Sequence, residues 1–293
     1  MRVLVTGTSG HIGGVIAAHL IEHDYEVVGV SRRLNSAART VSRALSLDLS
    51  SPDAGEAIAK AVPPCGAIVH AAAALDPDPL MPGVTLTNAF GTHQQLALGA
   101  QWEIESFVYL SSVPVIGRPV ELPVTESHPA KPRSVYHASK LYGEHLVRLA
   151  SNCGASLRLS APVGPGMDGR RILPAFVRRA VAGEPLEVAG DGSRGQDYVD
   201  ARDIASAAEA AIERRATGLM NIASGRCVTN LELAHRCIEV LGSSSEVRLS
   251  GTRDPEDGLR WEVSTARAER ELGYRPAHTL EEAIVALAEA ADE

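Results

Sequence analysis

Tyr136 and Lys140 lie four residues apart in a segment, 135–150, whose residue pattern predicts a helix. This spacing puts both side chains on one face of that helix. A free phenol has a pKa of about 10, which is too high for useful proton exchange at neutral pH. A neighbouring ammonium stabilises the phenolate and lowers this pKa. We therefore expect Tyr136 to give or take a proton at a carbonyl or hydroxyl oxygen.

Ser112 follows the apolar run 107–111, which predicts a strand. In doubly wound folds, ligands bind at the carboxyl ends of the strands. We expect the Ser112 hydroxyl to hydrogen-bond the reacting oxygen and share its developing charge. Taken alone, Ser112 also suits an ordinary strand-end turn, and the spacing of Tyr136 and Lys140 also arises by chance. The combination is more specific than either feature.

A glycine loop with the spacing G-x-x-G-x-x-G joins the first predicted strand, 2–6, to the first predicted helix, 12–22. Glycines allow a sharp turn and a close approach of the backbone to a pyrophosphate. The helix N-terminus then offers free N–H groups to the phosphates. The position of the loop after the first strand indicates a dinucleotide site. Its expected contacts are Gly7, Ser9, Gly10, His11, Ile12 and Gly13.

The second predicted strand, 26–31, runs into Ser31-Arg32-Arg33, where a site for NAD usually has an acidic residue. A hydroxyl and two arginines suit a 2′-phosphate, so we expect NADP, with NAD possible. A solvated basic turn is the alternative. Further cofactor contacts are expected at the ends of later strands and on the predicted helix: Asp48 and Leu49 beside the adenine, Ala71, Ala72 and Ala73 below the cofactor, and Lys140 on the nicotinamide ribose.

The chain resembles the extended short-chain dehydrogenase/reductases, the group that includes UDP-galactose 4-epimerase and sugar-nucleotide dehydratases and ketoreductases. The resemblance runs from Val5-Thr6-Gly7 through Leu110-Ser111-Ser112 and 136–140 to Gly190-Asp191-Gly192 and 271–276. It implies that Ser112, Tyr136 and Lys140 are catalytic. It also implies that Asn88, in Asn88-Ala89-Phe90-Gly91-Thr92, helps to build the cofactor site, although a helix-face polar residue is the alternative.

The resemblance implies hydride transfer at a carbonyl or carbinol carbon of a substrate similar to a sugar nucleotide. We favour a ketoreductase because of the basic turn after the second strand, with an epimerase that retains NAD(P) as the alternative. A non-catalytic NADP-binding sensor is a third possibility. Dehydration is disfavoured, because Val113-Pro114 stands where the family's dehydratases have Asp-Glu. Relatives are often homodimers, formed through helices corresponding to 85–100 and 135–150.

The substrate is the least defined part of the prediction. Three positions depart from the family pattern: Ile116, Ala161-Pro162-Val163 and Gln196-Asp197-Tyr198. Arg194 and Arg253 are candidates for a substrate diphosphate, because a guanidinium matches phosphate oxygens. Surface ion pairing is the alternative for each of them. A substrate without a nucleotide, such as a steroid-like or polyketide alcohol, also stays open.

Strand and helix patterns alternate through the first half of the chain, which predicts an α/β fold: a Rossmann doubly wound parallel sheet. Beyond a Pro/Gly-rich stretch at 162–168, we expect a smaller mixed α/β C-terminal lobe that binds the substrate. The predicted division is 1–163 and 164–293, with part of 196–222 returning to the Rossmann domain. One helix is expected over 85–100.

Composition excludes several classes of function. The 293 residues carry a formal net charge of −8, which disfavours a nucleic-acid partner. The four cysteines have no zinc-type spacing, so we expect free thiols and no metal. The apolar strand begins at once, and no apolar run reaches the length of a membrane span. We expect a cytoplasmic protein.

Overall fold

The structure is a computed structural model and describes residues 1–35, 41–76, 78 and 80–290. The strands in the described parts of the chain are β1 (Arg2–Thr6), β2 (Glu26–Ser31), β3 (Arg43–Ser46), β4 (Ala67–His70), β5 (Ser106–Ser112), β6 (Gly154–Leu159), β7 (Ala161–Val163), β8 (Leu186–Val188), β9 (Gly195–Asp200), β10 (Gly218–Ile222), β11 (Cys227–Thr229) and β12 (Val247–Leu249). The helices there are α1 (His11–Glu22), α2 (Ala54–Ala61), α3 (Gly91–Gln101), α4 (Val135–Ala150), α5 (Ile172–Val181), α6 (Ala201–Glu213), α7 (Asn230–Leu241), α8 (Ala266–Leu272) and α9 (Leu280–Glu289).

The larger sheet is parallel throughout, in the order β3-β2-β1-β4-β5-β6-β10 within the described residues. Its central strands are buried on both faces, as in the run 67–70, so their side chains do not alternate between apolar and polar. From β1, the chain first adds strands on one side of the sheet and then, from β4, on the other side. Doubly wound folds bind ligands at this point between β1 and β4. The predicted fold class is confirmed.

Two helical layers cover this sheet. On one face α1 and α6 pack together through an apolar cluster that includes Ile16, Leu20 and Ile204. On the other face α2, α3 and α4 pack on a second cluster, which includes Ile58 and Val147. The carboxyl ends of β1, β4 and β5 therefore share one edge between the layers, and this edge carries the predicted site residues.

The predicted single helix over 85–100 is divided in the structure. Residues Thr85–Phe90 form a π-helical turn, and α3 continues from Gly91. The wider turn places Asn88 inward, where it is 1% exposed. Such π-turns are rare and occur often at functional sites.

The second lobe contains α5, α7 and α9 around an apolar cluster. It also contains two small sheets, β11-β9-β7 and β12-β8. Strand β7 precedes residue 164, the predicted start of this lobe, yet pairs with β9. Within 196–222, α6 packs on the Rossmann side and β10 extends the large sheet. The chain thus crosses between the lobes more than once.

Candidate active site

Lys140 lies between the end of β5 and Tyr136. Its side chain is buried, and its ammonium donates a hydrogen bond to the carbonyl oxygen of Leu110 at 2.7 Å. Leu110 precedes Ser112 by two residues, and Ser112 ends β5. The same ammonium lies 5.8 Å from the centroid of the Tyr136 ring. The structure therefore brings the predicted catalytic residues to one edge of the sheet.

The start of α4 fixes where Tyr136 lies. Ser134 caps the helix, its hydroxyl accepting a hydrogen bond from the His137 N–H. Tyr136 is consequently the second residue of the helix, and Lys140 lies one turn further along, against β5. The ring of His137 contacts the Tyr136 ring edge-on, with the centroids 5.1 Å apart.

The electrostatics of the pair differ from the expectation from sequence. Burial raises the pKa of Tyr136 to about 12, and the positive charge of Arg171 opposes this shift only in part. Burial lowers the pKa of Lys140 to about 8, against the stabilising carboxylate of Glu144. The predicted lowering of the phenol pKa by Lys140 is thus absent here, because desolvation outweighs nearby charge and the ammonium is turned to Leu110. Arg171, the N-cap of α5, is a nearby cation that the sequence did not reveal.

Asn88 ties the first turn of α4 to the loop after β4. Its amide oxygen accepts a hydrogen bond from the Ala74 N–H at 2.7 Å. Its amide nitrogen donates to the Ala74 carbonyl and to the Ser139 hydroxyl, both at 3.0 Å. Ser139 in turn donates to the carbonyl of Tyr136. The amide that was predicted to contact the cofactor is therefore engaged in holding the protein together around Tyr136.

The glycine loop lies where β1 meets β4. Gly7 has φ +79, and a Cβ there would come within 2.9 Å of the Ala72 backbone. A Cβ on Gly13 would lie 2.3 Å from the Gly7 carbonyl. Gly10, the N-cap of α1, is exposed, and a Cβ there would meet only that same carbonyl. The loop is therefore tight against the backbone of Ala71 and Ala72 and open above the helix N-terminus.

The glycine loop and the N-terminus of α1 suit the phosphates of a dinucleotide. The first N–H groups of α1, at His11, Ile12 and Gly13, have no acceptor inside the helix. The imidazole of His11 pairs through Nδ1 with the Pro165 carbonyl at 2.9 Å. Its Nε2 is buried and has no partner among the described residues. A buried nitrogen of this kind is available to a bound group.

Ser31 is engaged inside the protein. Its hydroxyl accepts a hydrogen bond from the Ser9 N–H and contacts the Thr8 hydroxyl, each at 2.9 Å. It therefore fixes the glycine loop to the end of β2. Arg32 and Arg33 follow it and are exposed.

The two positions predicted to flank the adenine differ from each other. The carboxylate of Asp48 accepts hydrogen bonds from the backbone and hydroxyl of Ser50, which lower its pKa. Leu49 is buried, and its carbonyl accepts a hydrogen bond from Gln94. Asp48 thus lies at the surface after β3, while Leu49 belongs to the core.

Arg194 pairs with an acidic turn that begins next to Arg253 in the sequence. The guanidinium of Arg194 lies 2.9 Å from the Glu256 carboxylate and 3.8 Å from that of Asp254. Arg253 immediately precedes Asp254 and is exposed. The ion-pairing alternative therefore describes Arg194 in this structure, and a substrate phosphate would have to compete with these carboxylates.

A family model described as "NAD dependent epimerase/dehydratase family" matches residues 3–223, which is most of the chain. The chain belongs to this family. The match confirms the predicted resemblance, and with it the prediction of an enzyme that depends on a nicotinamide dinucleotide.

Several relatives carry names that refer to nucleotide sugars. The chain is 27% identical to "UDP-glucose 4-epimerase 2" of Arabidopsis thaliana, over 96% of this chain and 92% of the relative. It is 30% identical to a dTDP-glucose 4,6-dehydratase of Streptomyces griseus, over 68% and 62%. The solved UDP-glucose 4-epimerase of Thermus thermophilus, in complex with NAD, is 25% identical with a TM-score of 0.86, covering 99% of this chain and 98% of that one.

A buried ion pair that was not predicted joins the middle of α4 to β6. The Glu144 carboxylate accepts hydrogen bonds from Arg158 at both oxygens, each at 2.8 Å, and from the Ser111 hydroxyl at 2.5 Å. Glu144 follows Lys140 by one helical turn, and this spacing in the sequence could have indicated that Glu144 lies near the site. Arg158 lies in β6, where nothing local indicated it.

His70, the last residue of β4, is a packed histidine. It is fully buried, and its ring nitrogens pair with the hydroxyls of Thr6 and Thr92 at 2.8 and 3.0 Å. Burial and the nearby charge of Lys140 lower its pKa to about 3, so the imidazole stays neutral.

In the described parts of the chain, no helix combines the length and apolar character needed to cross a membrane.

Proposed function

We propose that this protein is a 4-epimerase of nucleoside diphosphate sugars that keeps its dinucleotide bound between turnovers. The observation that carries the proposal is the Tyr136–Lys140 pair at the end of β5, in a chain similar over its whole length to a UDP-glucose 4-epimerase bound to NAD. This reverses the preference for a ketoreductase that the turn after β2 suggested.

The dinucleotide would lie along the carboxyl edge of the sheet. The N-terminus of α1, with Gly7, Ser9 and Gly10, would hold the pyrophosphate, and the free Nε2 of His11 would face it. Arg32 and Arg33 would bind the adenosine ribose, and Lys140 the nicotinamide ribose. When bound, the nicotinamide supplies a hydride acceptor that can return the hydride. Ser31 would position the glycine loop, and Asn88 would position the loop after β4. Their polar atoms are engaged within the protein.

Tyr136 would exchange the proton of the reacting hydroxyl. Its pKa of about 12 in this structure must fall before it can act as a base. Rotation of the Lys140 ammonium away from the Leu110 carbonyl, towards the phenol and a ribose hydroxyl, would provide that change. Ser112 would donate a hydrogen bond to the same substrate oxygen. Arg171 would add positive charge near the phenol.

Dehydration remains disfavoured. The residues after Ser112 are Val113 and Pro114, in a turn where Val113 is buried. Neither can protonate or deprotonate a substrate. Elimination of water needs an acid and a base beside the oxidised sugar, so the site supports transfer and return of a hydride better.

A ketoreductase that uses NADPH is the second candidate. The observation in its favour is the exposed pair Arg32 and Arg33 directly after β2, in a connection, 32–42, that contains no acidic residue. Two guanidinium groups suit a 2′-phosphate. Residues 36–40 of this connection lie outside the described residues.

Identification of the bound nucleotide separates these possibilities. Native mass spectrometry of the purified protein should show a dinucleotide that survives dilution, and the same sample should interconvert UDP-glucose and UDP-galactose without added cofactor. An empty protein that consumes NADPH with a 4-keto sugar nucleotide would favour the ketoreductase. Dinucleotide binding without turnover of any carbonyl or carbinol substrate would favour the sensor.

We also propose that the protein is a homodimer. Leu86, Phe90 and Tyr142 are 42%, 37% and 50% exposed and line one apolar groove between the π-turn and α4. A second copy of the same surface would cover them through a four-helix contact. Light scattering should give twice the chain mass, and Tyr142→Glu should give the monomer. A monomeric wild-type protein at micromolar concentration would contradict this.

A further inference from the structure

Two histidines and a glutamate meet where the end of α1 packs on α6. His19 lies in the last turn of α1, and His23 is its C-cap residue. Their Nε2 and Nδ1 atoms lie 2.7 and 2.6 Å from the same carboxylate oxygen, Oε2 of Glu209. The two rings meet edge-on, with centroids 4.2 Å apart. The ligand atoms of the three side chains all lie within 4.8 Å of one another.

The surroundings of this cluster favour a cation. It borders an open surface groove of about 560 Å³ that is also lined by Asp24 and Glu213, two carboxylates against the single amino terminus of Met1. The carbonyl end of α1 adds partial negative charge at the same place. The side chains of His19 and Glu209 are 17% and 14% exposed, and that of His23 is 47% exposed. The ligands are thus largely held by packing, while one side stays accessible to an ion.

We propose that His19, His23 and Glu209 form a binding site for a divalent transition-metal ion, specifically Zn²⁺. Two imidazole nitrogens and one carboxylate oxygen are a ligand set that Zn²⁺ accepts, with water completing the tetrahedron. Ligand atoms around tetrahedral Zn²⁺ lie about 3.3 Å apart. Each imidazole nitrogen therefore has to withdraw from the carboxylate oxygen by roughly 0.6 Å, which small rotations of the exposed His23 ring and of the Glu209 carboxylate can supply.

The ion would act on stability and not on hydride transfer. The cluster lies at the C-terminal end of α1, whereas the glycine loop precedes its N-terminus, and a helix of 12 residues is about 18 Å long. A bound ion would join α1 to α6, the two helices that cover one face of the large sheet. The inference is independent of the proposed function.

Binding should be measured on the untagged, full-length protein after treatment with a chelator. Calorimetric titration with Zn²⁺ should give one ion per chain with a Kd below about 1 µM. His23→Asn and Glu209→Gln should each weaken binding by about 100-fold, while His235→Asn, at an exposed histidine on α7, should bind as the wild type does. Zn²⁺ should raise the unfolding midpoint of the wild type by about 4 °C or more.

X-ray absorption of the wild-type complex provides a test that needs no variant. The proposal requires imidazole and oxygen ligands at about 2.0–2.1 Å from zinc. Sulfur ligands would overturn it, because they would place the ion at a cysteine. Absence of stoichiometric binding, or affinity unchanged in both ligand variants, would also overturn it.

Discussion

The ammonium of Lys140 donates a hydrogen bond of 2.7 Å to the carbonyl of Leu110, inside the protein and two residues before Ser112. This bond secures the cation at the end of β5, but it does not remove the cost of burying charge, since the pKa of Lys140 falls to about 8. In the proposed reaction, this ammonium has to turn from the Leu110 carbonyl towards Tyr136.

This burial predicts how stability depends on pH. Between about pH 8 and the ordinary lysine value of 10.5, the unfolded chain binds a proton that the folded protein has released. The wild type should therefore gain stability relative to Lys140→Met as pH rises through this window, by at most about 1.4 kcal/mol per pH unit. Urea unfolding of both proteins across the window measures the difference. Parallel pH profiles would show that Lys140 is not desolvated.

Gly13→Ala should weaken dinucleotide binding by about tenfold or more. Its Cβ would lie 2.3 Å from the Gly7 carbonyl, so the start of α1 must shift away from the loop. Gly83→Ala is the matched control, because a Cβ there meets nothing within 4 Å. Fluorescence titration of each protein, after removal of its bound dinucleotide, should show this lower affinity in Gly13→Ala and an unchanged affinity in Gly83→Ala. Equal affinities would remove the glycine loop from the site.

Arg158→Met should destabilise the fold by about 3–5 kcal/mol, since it leaves the Glu144 carboxylate buried without its cation. The double variant Glu144→Met/Arg158→Met should recover much of that loss. Denaturant unfolding of the wild type, both single variants and the double variant gives the interaction free energy between the two side chains. Additive losses would mean that the two side chains do not interact.

Arg32→Ala and Arg33→Ala should weaken NADPH binding by about tenfold each and change NADH binding little, because each would lose a charge-assisted hydrogen bond to the 2′-phosphate. Titration with both nucleotides gives the ratio of the two Kd values. A ratio unchanged in both variants would show that the two arginines do not recognise the 2′-phosphate and would leave them as a solvated turn.

The sequence predicted the elements whose signal is local. The strands and helices around Gly7–Gly13 and Tyr136–Lys140 have long apolar patterns. Because the predicted sheet is parallel, the carboxyl ends of its strands were expected to share one edge. Strands β7, β9, β10, β11 and β12 were missed, because their runs are very short or interrupted by polar residues and owe their pairing to distant partners.

Side-chain partners distant in sequence could not be predicted. Ser31 looked available to a phosphate, yet its hydroxyl joins Ser9 and Thr8, more than twenty residues earlier. Arg194 looked like a phosphate ligand, yet it pairs with Glu256. Such contacts depend on tertiary packing, which spacing along the chain does not encode.

The central claim is that Tyr136 exchanges the proton of a substrate hydroxyl beside a bound dinucleotide. The direct test compares wild type and Tyr136→Phe, both loaded with dinucleotide, for interconversion of UDP-glucose and UDP-galactose and for the near-ultraviolet absorbance of reduced nicotinamide. We predict that the variant keeps its dinucleotide and loses turnover by about 10²–10⁴-fold. Turnover within a few-fold of the wild type in Tyr136→Phe would contradict the account.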